Sequence, residues 1–166
     1  MDIESIRIKK FIKKIKGWSF LVFLFLKLPL AFIAGLRVKE LTFEKATVTA
    51  PFSFWNKNPF KSIYFAVLAM AAELSTGILA LMHVDKKKTK ISMLVVGMQS
   101  KFYKKSTSKV KFICKNGNEI SDVINKTLKS GNGEIVVANS KGYDKNGVCV
   151  AEFNITWSFK AKNSKS

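Results

Sequence analysis

Residues 62–82, SIYFAVLAMAAELSTGILALM, run almost without interruption as apolar or small side chains, and a single charge, Glu73, sits near their middle. Alanine and leucine dominate the run, and its length suits a helix rather than a strand. A helix that is apolar on nearly every side must be wrapped by something, either protein or lipid. Glu73 is also the only acidic residue between Glu44 and Asp85.

Beyond this helix the pattern changes period. Residues 38–54 alternate: Ala46, Val48, Ala50 and Phe52 fall on one side, and Thr47, Thr49 and Ser53 on the other. That is the signature of a half-buried strand. Further strands are expected at 89–105, 109–116, 134–143 and 148–161, and a short amphipathic helix at 119–130. The last strand is the clearest. Cys149, Ala151, Phe153, Ile155, Trp157 and Phe159 share one face, while Glu152, Asn154, Thr156, Ser158 and Lys160 share the other. Asn116-Gly117, Gly131-Asn132-Gly133 and Lys145-Asn146-Gly147 supply the turns. Antiparallel strands around one long apolar helix make an α+β domain.

Residues 1–36 read as an N-terminal helical segment ahead of a domain at 37–161, with a Lys/Ser/Asn-rich tail at 162–166 expected to fray. Ile8, Phe11, Ile12 and Ile15 follow helical spacing, with lysines 9, 10, 13, 14 and 16 largely opposite. The stretch 18–36 is strongly apolar and follows this basic helix, as in a signal peptide or signal anchor. Lys27 and Pro29 interrupt it, and Phe32 stands where cleavage after Ala34 would need a small residue. The segment is read as docked on the domain or lying on a membrane surface, with a spanning anchor as the alternative.

The rare residues exclude several chemistries. Two cysteines, Cys114 and Cys149, and one histidine, His83, cannot build a four-ligand zinc site within one chain, so no metal is expected. Any nucleophile–imidazole pair must use His83, which reads instead as a helix-end residue. No GxxxxGK[ST] loop is present. Both cysteines fall on apolar strand faces and read as buried thiols in a reducing, cytoplasmic setting.

The 166-residue chain carries 29 basic and 11 acidic residues, a formal charge of +18. Such a chain attracts phosphates, acidic proteins and anionic lipid. Only Arg7 and Arg37 are arginines, which counts against nucleic acid, where bidentate arginine contacts are favoured.

The stretch Asn58-Pro59-Phe60-Lys61-Ser62-Ile63-Tyr64, leading into Ala71-Ala72-Glu73-Leu74-Ser75-Thr76-Gly77, resembles the hotdog thioesterase superfamily, specifically a branch near the phenylacetyl-CoA type. The ending Gly147-Val148…Trp157-Ser158-Phe159 fits that family's last strand. The resemblance covers roughly 28–161. It implies the hotdog fold, a curved antiparallel sheet wrapped around one central helix. It also implies an acyl-thioester hydrolase acting on acyl-CoA or acyl-carrier protein, with coenzyme A as part of the substrate and no separate cofactor. In the family a polar side chain stands fifteen residues before a catalytic carboxylate, the spacing of Asn58 and Glu73. The family's His-Gly-Gly at the helix start falls on Tyr64-Phe65-Ala66, so Phe65 replaces a glycine that lets the acyl group approach the backbone.

These residue types suit the reaction. A buried carboxylate has a raised pKa and can orient and deprotonate water, and unpaired amides at a helix start, here Tyr64 and Phe65, can polarise a carbonyl. Lys101, Lys104 and Lys105 are candidates for the phosphates of coenzyme A. The alternatives are a Glu73 paired structurally with a lysine, Ser75 or Thr76, an Asn58 that merely caps the helix entry, and lysines that form a solvated face. Glu73 lies about 12–15 Å along the helix from Tyr64 and Phe65. Two chains with antiparallel helices are needed to bring both to one carbonyl, so a homodimer, or a tetramer of dimers, is expected. Competing readings are a non-catalytic acyl-binding module and a membrane protein with spans at 18–36 and 63–84, where Glu73 would sit at mid-bilayer.

Overall fold

The computed structural model describes residues 3–85, 87 and 89–162. Three helices open the chain: α1 (Ile3–Lys16), α2 (Trp18–Lys27) and α3 (Pro29–Ile33). Strands β1 (Arg37–Leu41) and β2 (Ala46–Ala50) follow, then a 3-10 turn at Phe54–Asn56 and the long helix α4 (Phe65–Asp85). Strands β3 (Ile91–Phe102) and β4 (Val110–Cys114), helix α5 (Gly117–Ser130), and strands β5 (Glu134–Tyr143) and β6 (Cys149–Ala161) complete it.

The six strands form one sheet in the order β1-β2-β4-β5-β6-β3, and every pairing is antiparallel. Helix α4 packs on β2, β4, β5 and β6, with α5 beside it. This is the hotdog fold, with a helical N-terminal extension. The alternation in β6 is realised: Ala151, Phe153, Ile155, Trp157 and Phe159 are buried, while Glu152, Asn154, Thr156 and Ser158 are only half covered. Val48, Phe112, Leu79 and Met82 fill the space between the inner face and α4.

Two buried polar contacts fix α4 on the sheet. The Ser75 hydroxyl meets that of Ser140 on β5 at 2.7 Å, and the Trp157 indole N–H donates to Thr76 Oγ1 at 2.9 Å. Each satisfies groups that would otherwise be costly to bury. At the start of α5, Gly117 lies against the backbone of Phe43 and Glu44 with no room for a Cβ.

The sequence pattern overestimates one strand. The expected strand 38–54 is a hairpin of β1 and β2, because Thr42 and Lys45 close a turn between them. The Thr42 amide donates to the Lys45 carbonyl at 2.8 Å and the Lys45 amide to Thr42 Oγ1 at 3.0 Å. The central helix begins at Phe65 rather than Ser62. The amides of Ser62, Ile63 and Tyr64 are taken by Asn58 Oδ1, the Ser106 carbonyl and the Asn56 carbonyl, so the chain is still loop there. It ends at Asp85 rather than Met82, because His83 is still in the core: its Nε2 lies 2.9 Å from the Phe43 carbonyl oxygen. Cys114 is buried and Cys149 only half-buried, and both are free thiols. Lys86 and Lys88 of the lysine run, and the tail beyond Lys162, lie outside the described residues.

In the N-terminal segment Ile15 is buried, and Ile8, Phe11 and Ile12 lie against the core. The apolar stretch 18–36 does not form one span; Leu28 and Pro29 break it into α2 and the five-residue α3. Among the described residues only α4 has the length and apolar composition to cross a membrane, and most of it is buried within the domain.

Candidate functional site

A cavity of about 730 Å³ opens at the start of α4. The loop 57–64 forms one wall and the segment after β3 the other. The two are tied by the Ile63 amide, which donates to the Ser106 carbonyl at 2.8 Å. The walls are aromatic: Phe60, Tyr64, Phe65, Phe102 and Tyr103, with Ile63 and Leu68 beneath. Phe65, Phe102, Phe153 and Phe112 form a chain of edge-on ring contacts that runs from the cavity into the core.

Five of the residues singled out from the sequence line this cavity: Asn58, Tyr64, Phe65, Lys104 and Lys105. Asn58 organises the loop. Its Oδ1 accepts from the amides of Phe60 and Ser62 and contacts the Ser62 hydroxyl, at 3.0, 3.1 and 3.1 Å. Its Nδ2 has no acceptor among the described residues. The carbonyl oxygen therefore builds the wall, and the amide hydrogens take no part in it.

The backbone amides at the start of α4 differ in their partners. The Tyr64 amide is already donating to the Asn56 carbonyl at 2.7 Å, so it is not available as an oxyanion donor. The amides of Phe65 and Ala66, the first two of α4, meet no acceptor among the described residues. Helix starts leave such donors unpaired. Lys101 is not brought to the cavity; it lies in a separate groove with Gln99, Ser100, Glu152 and Asn154. Lys57 lines the cavity instead, next to Asn58.

Glu73 stands apart. It does not line the cavity. It lies on the one stripe of α4 that the sheet leaves partly uncovered, with Ala66, Ala69, Met70 and Gly77. Burial alone pushes its carboxyl above the ordinary carboxylate range. Its carboxylate has no hydrogen-bond or ion-pair partner among the described residues. The structural partners considered for it are engaged elsewhere. Ser75 donates to the Ala72 carbonyl and meets Ser140; Thr76 Oγ1 donates to the Glu73 main-chain carbonyl and accepts from Trp157. Eight residues separate Glu73 from Phe65, about 12 Å along the helix.

Ser106 carries no signal in the sequence, where it lies in a run of lysine, serine and threonine. It lines the cavity, is buried, and its hydroxyl has no partner among the described residues. No group of three or more metal-ligating side chains is found among the described residues.

A family model described as a domain of unknown function, DUF4442, matches residues 16–159. No curated protein matches the sequence. Among solved structures, a Pseudomonas aeruginosa protein of unknown function described as a probable thioesterase superposes with a TM-score of 0.73 at 18% identity, covering 88% of this chain and 97% of its own. A Haemophilus influenzae thioesterase gives 0.61 at 13% identity, over 82% and 85% of the two chains. A Staphylococcus aureus thioesterase gives 0.58 at 13% identity, over 80% and 98%. That structure replaces a glutamine, and a second structure of the same protein replaces a glutamate fifteen positions further on. At these identities the likeness is one of fold.

Proposed function

We propose a function for this chain from the premise that it belongs to the DUF4442 family and has the hotdog fold: it hydrolyses acyl thioesters, carried on coenzyme A or on acyl-carrier protein, in a homodimer. The observation that carries this reading is Glu73, a carboxylate with a raised pKa and no partner on the open stripe of the central helix. An unpaired carboxylate at such a place is costly to keep and is suited to act as a base.

In the proposed site α4 of one chain runs antiparallel to α4 of the other, so that Glu73 of one faces the cavity of its partner. The thioester carbonyl oxygen sits at the amides of Phe65 and Ala66, helped by the positive end of the helix dipole. Asn58 Nδ2 donates to the carbonyl or to the attacking water. Glu73 takes a proton from that water as its oxygen bonds to the carbonyl carbon. The carbon–sulfur bond then breaks, and the thiolate leaves with the proton returned from Glu73. The products are a carboxylic acid and a free thiol. Lys57, Lys104 and Lys105 supply positive charge for the phosphates of the carrier group. Lys101, in its separate groove, is left out of this site.

The test is thiol release from a panel of acyl-CoA and acyl-carrier-protein substrates by the full chain, with Glu73→Gln as the control. Release that the control abolishes supports hydrolysis. Phe65 favours a second reading, a non-catalytic acyl-binding module, because its half-exposed ring lines the cavity where the resembling family has glycine. Binding of acyl-CoA in calorimetry with no release from any substrate would establish that reading instead.

A further inference from the structure

Helix α2 uses only one narrow stripe for packing. Phe20 and Leu24, one turn apart, are buried. Leu21 is half-buried, while Val22, Phe23 and Phe25 point outward and Trp18 is 80% and Leu26 66% exposed. Helix α3 repeats the pattern, with Ala31 buried and Leu30 and Ile33 exposed. The two helices are joined by an edge-on contact of Phe25 and Phe32 at 5.4 Å. Eight large apolar residues are exposed between Trp18 and Ile33, far more than scattered surface residues account for.

A second apolar element is fastened beside this one. The buried Asn56 donates from Nδ2 to the Ala34 carbonyl at 2.9 Å and to the Pro51 carbonyl at 2.8 Å. That ties the 3-10 turn to the end of α3. The turn holds out Phe54 and Trp55, 79% and 74% exposed and packed edge-on. A few residues on, Phe60 is also exposed and forms part of the cavity wall.

The charge around this surface is mostly positive, with Asp85 the one acid in the groove between α1 and α2. Between Glu4 and Glu40 the chain has nine lysines and arginines and no acid. Lys10, Lys13 and Lys14 of α1 are exposed, and Lys14 shares a groove with Phe23 of α2. Lys27 ends α2, and Lys57 and Lys61 flank the aromatic turn. A second copy docked symmetrically on this face would set lysines against lysines. Aromatic and aliphatic side chains within a field of lysines match the interface of an anionic bilayer, where rings sit at headgroup depth and ammonium groups meet lipid phosphates.

We infer that the outward faces of α2 and α3, with Phe54 and Trp55, form a docking surface for an anionic lipid bilayer, and that docking brings the mouth of the cavity at Phe60 beside the membrane. Such docking asks nothing of the thioester chemistry, so binding to vesicles is read without any activity.

The experiment is flotation of the full chain with phosphatidylcholine vesicles, with and without phosphatidylserine. Binding is expected only to the vesicles with phosphatidylserine, and it is expected to weaken as salt is raised. Trp18 and Trp55 should shift their emission to the blue on binding, while Trp157, already buried, stays constant. Leu26→Ser/Leu30→Ser and, separately, Lys10→Glu/Lys13→Glu should each weaken binding about tenfold or more with an unchanged melting temperature, since all four side chains are exposed. Three results would overturn the inference: no binding to anionic vesicles, equal binding to uncharged ones, or a Leu26→Ser/Leu30→Ser variant that binds vesicles normally but loses an oligomer in light scattering.

Discussion

The carboxylate of Glu73 lies directly over Gly77, one helical turn further along α4: a Cβ on Gly77 would stand 3.1 Å from Glu73 Oε1 and 3.2 Å from the Trp157 ring. The absence of a side chain at Gly77 leaves room for the Glu73 carboxylate beside the Trp157 ring. Gly77→Ala should therefore act on both stability and the carboxylate. Alanine favours a helix by about 1 kcal/mol over glycine, whereas overpacking against a buried ring costs about 1–3 kcal/mol. A net loss of about 1 kcal/mol is expected in urea unfolding, together with a drop in thiol release as the carboxylate is pushed aside.

Glu73→Gln should lower hydrolysis by about 10²–10⁴-fold, the usual worth of a positioned base. Its effect on stability depends on pH. Burial raises the Glu73 pKa in the folded chain above its value in the unfolded one. The folded state thus holds this proton more tightly, and the stabilisation is full below the unfolded pKa and is lost as pH rises through the folded pKa. The glutamine variant lacks this loss. Its melting temperature should match the parent at low pH and exceed it near neutrality. A variant less stable than the parent at neutral pH would show a Glu73 paired with a cation instead.

Asn58→Asp separates the two roles of that side chain. Aspartate keeps an acceptor for the amides of Phe60 and Ser62 but loses the Nδ2 donor. The loop should hold, with a melting temperature near the parent's, while hydrolysis falls about tenfold or more. Asn58→Ala should lose both, and a comparison of the two by calorimetry and thiol release checks the division.

Asn56→Ala should be among the costliest single changes outside the sheet. It strips the donors from the carbonyls of Ala34 and Pro51 at a fully buried position. A loss of about 2–4 kcal/mol is expected in urea unfolding, because each carbonyl is left without a partner.

The two thiols should differ in reactivity. Burial pushes the Cys114 thiol up to about 11, and it is enclosed in β4. Cys149 is half exposed at the start of β6. Titration with a thiol reagent at neutral pH should modify Cys149 alone, and Cys114 only after denaturant is added.

The central helix and β6 were legible in the sequence because their patterns are long and physically unambiguous. A mostly apolar run from Ser62 to Met82 is too long for a strand, and a twelve-residue alternation cannot be a helix. The break inside 38–54 lies where the alternation changes phase, at Leu41-Thr42-Phe43, and a reading of 38–54 as one strand passes over it; the hydrogen bonds between Thr42 and Lys45 turn the chain there. The pattern also misplaces the start of α4: apolar periodicity records which side chains are buried, not which amides a distant loop has claimed. The Tyr64 amide is the clearest case, since the Asn56 carbonyl that takes it comes from a turn with no pattern of its own. Ser106 was invisible, because nothing in a Lys-Lys-Ser-Thr-Ser-Lys run marks which serine folds inward.

The place of β3 in the sheet has a consequence for how the chain is made. It is the third strand in sequence but occupies the edge beyond β6, and β6 is the strand that pairs with it. β3 is complete at Phe102, whereas β6 begins at Cys149 and ends at Ala161. At a synthesis rate of about 5–20 residues per second, a growing chain carries a finished β3 for roughly 3–12 s before its partner exists. During that interval Ile91, Met93 and Val95 and the backbone edge that pairs with β6 have no neighbour in the native sheet. Strand β6 therefore works as a fastener, and a ribosome that stalls before Gly147 leaves behind a strand ready to pair with the wrong partner.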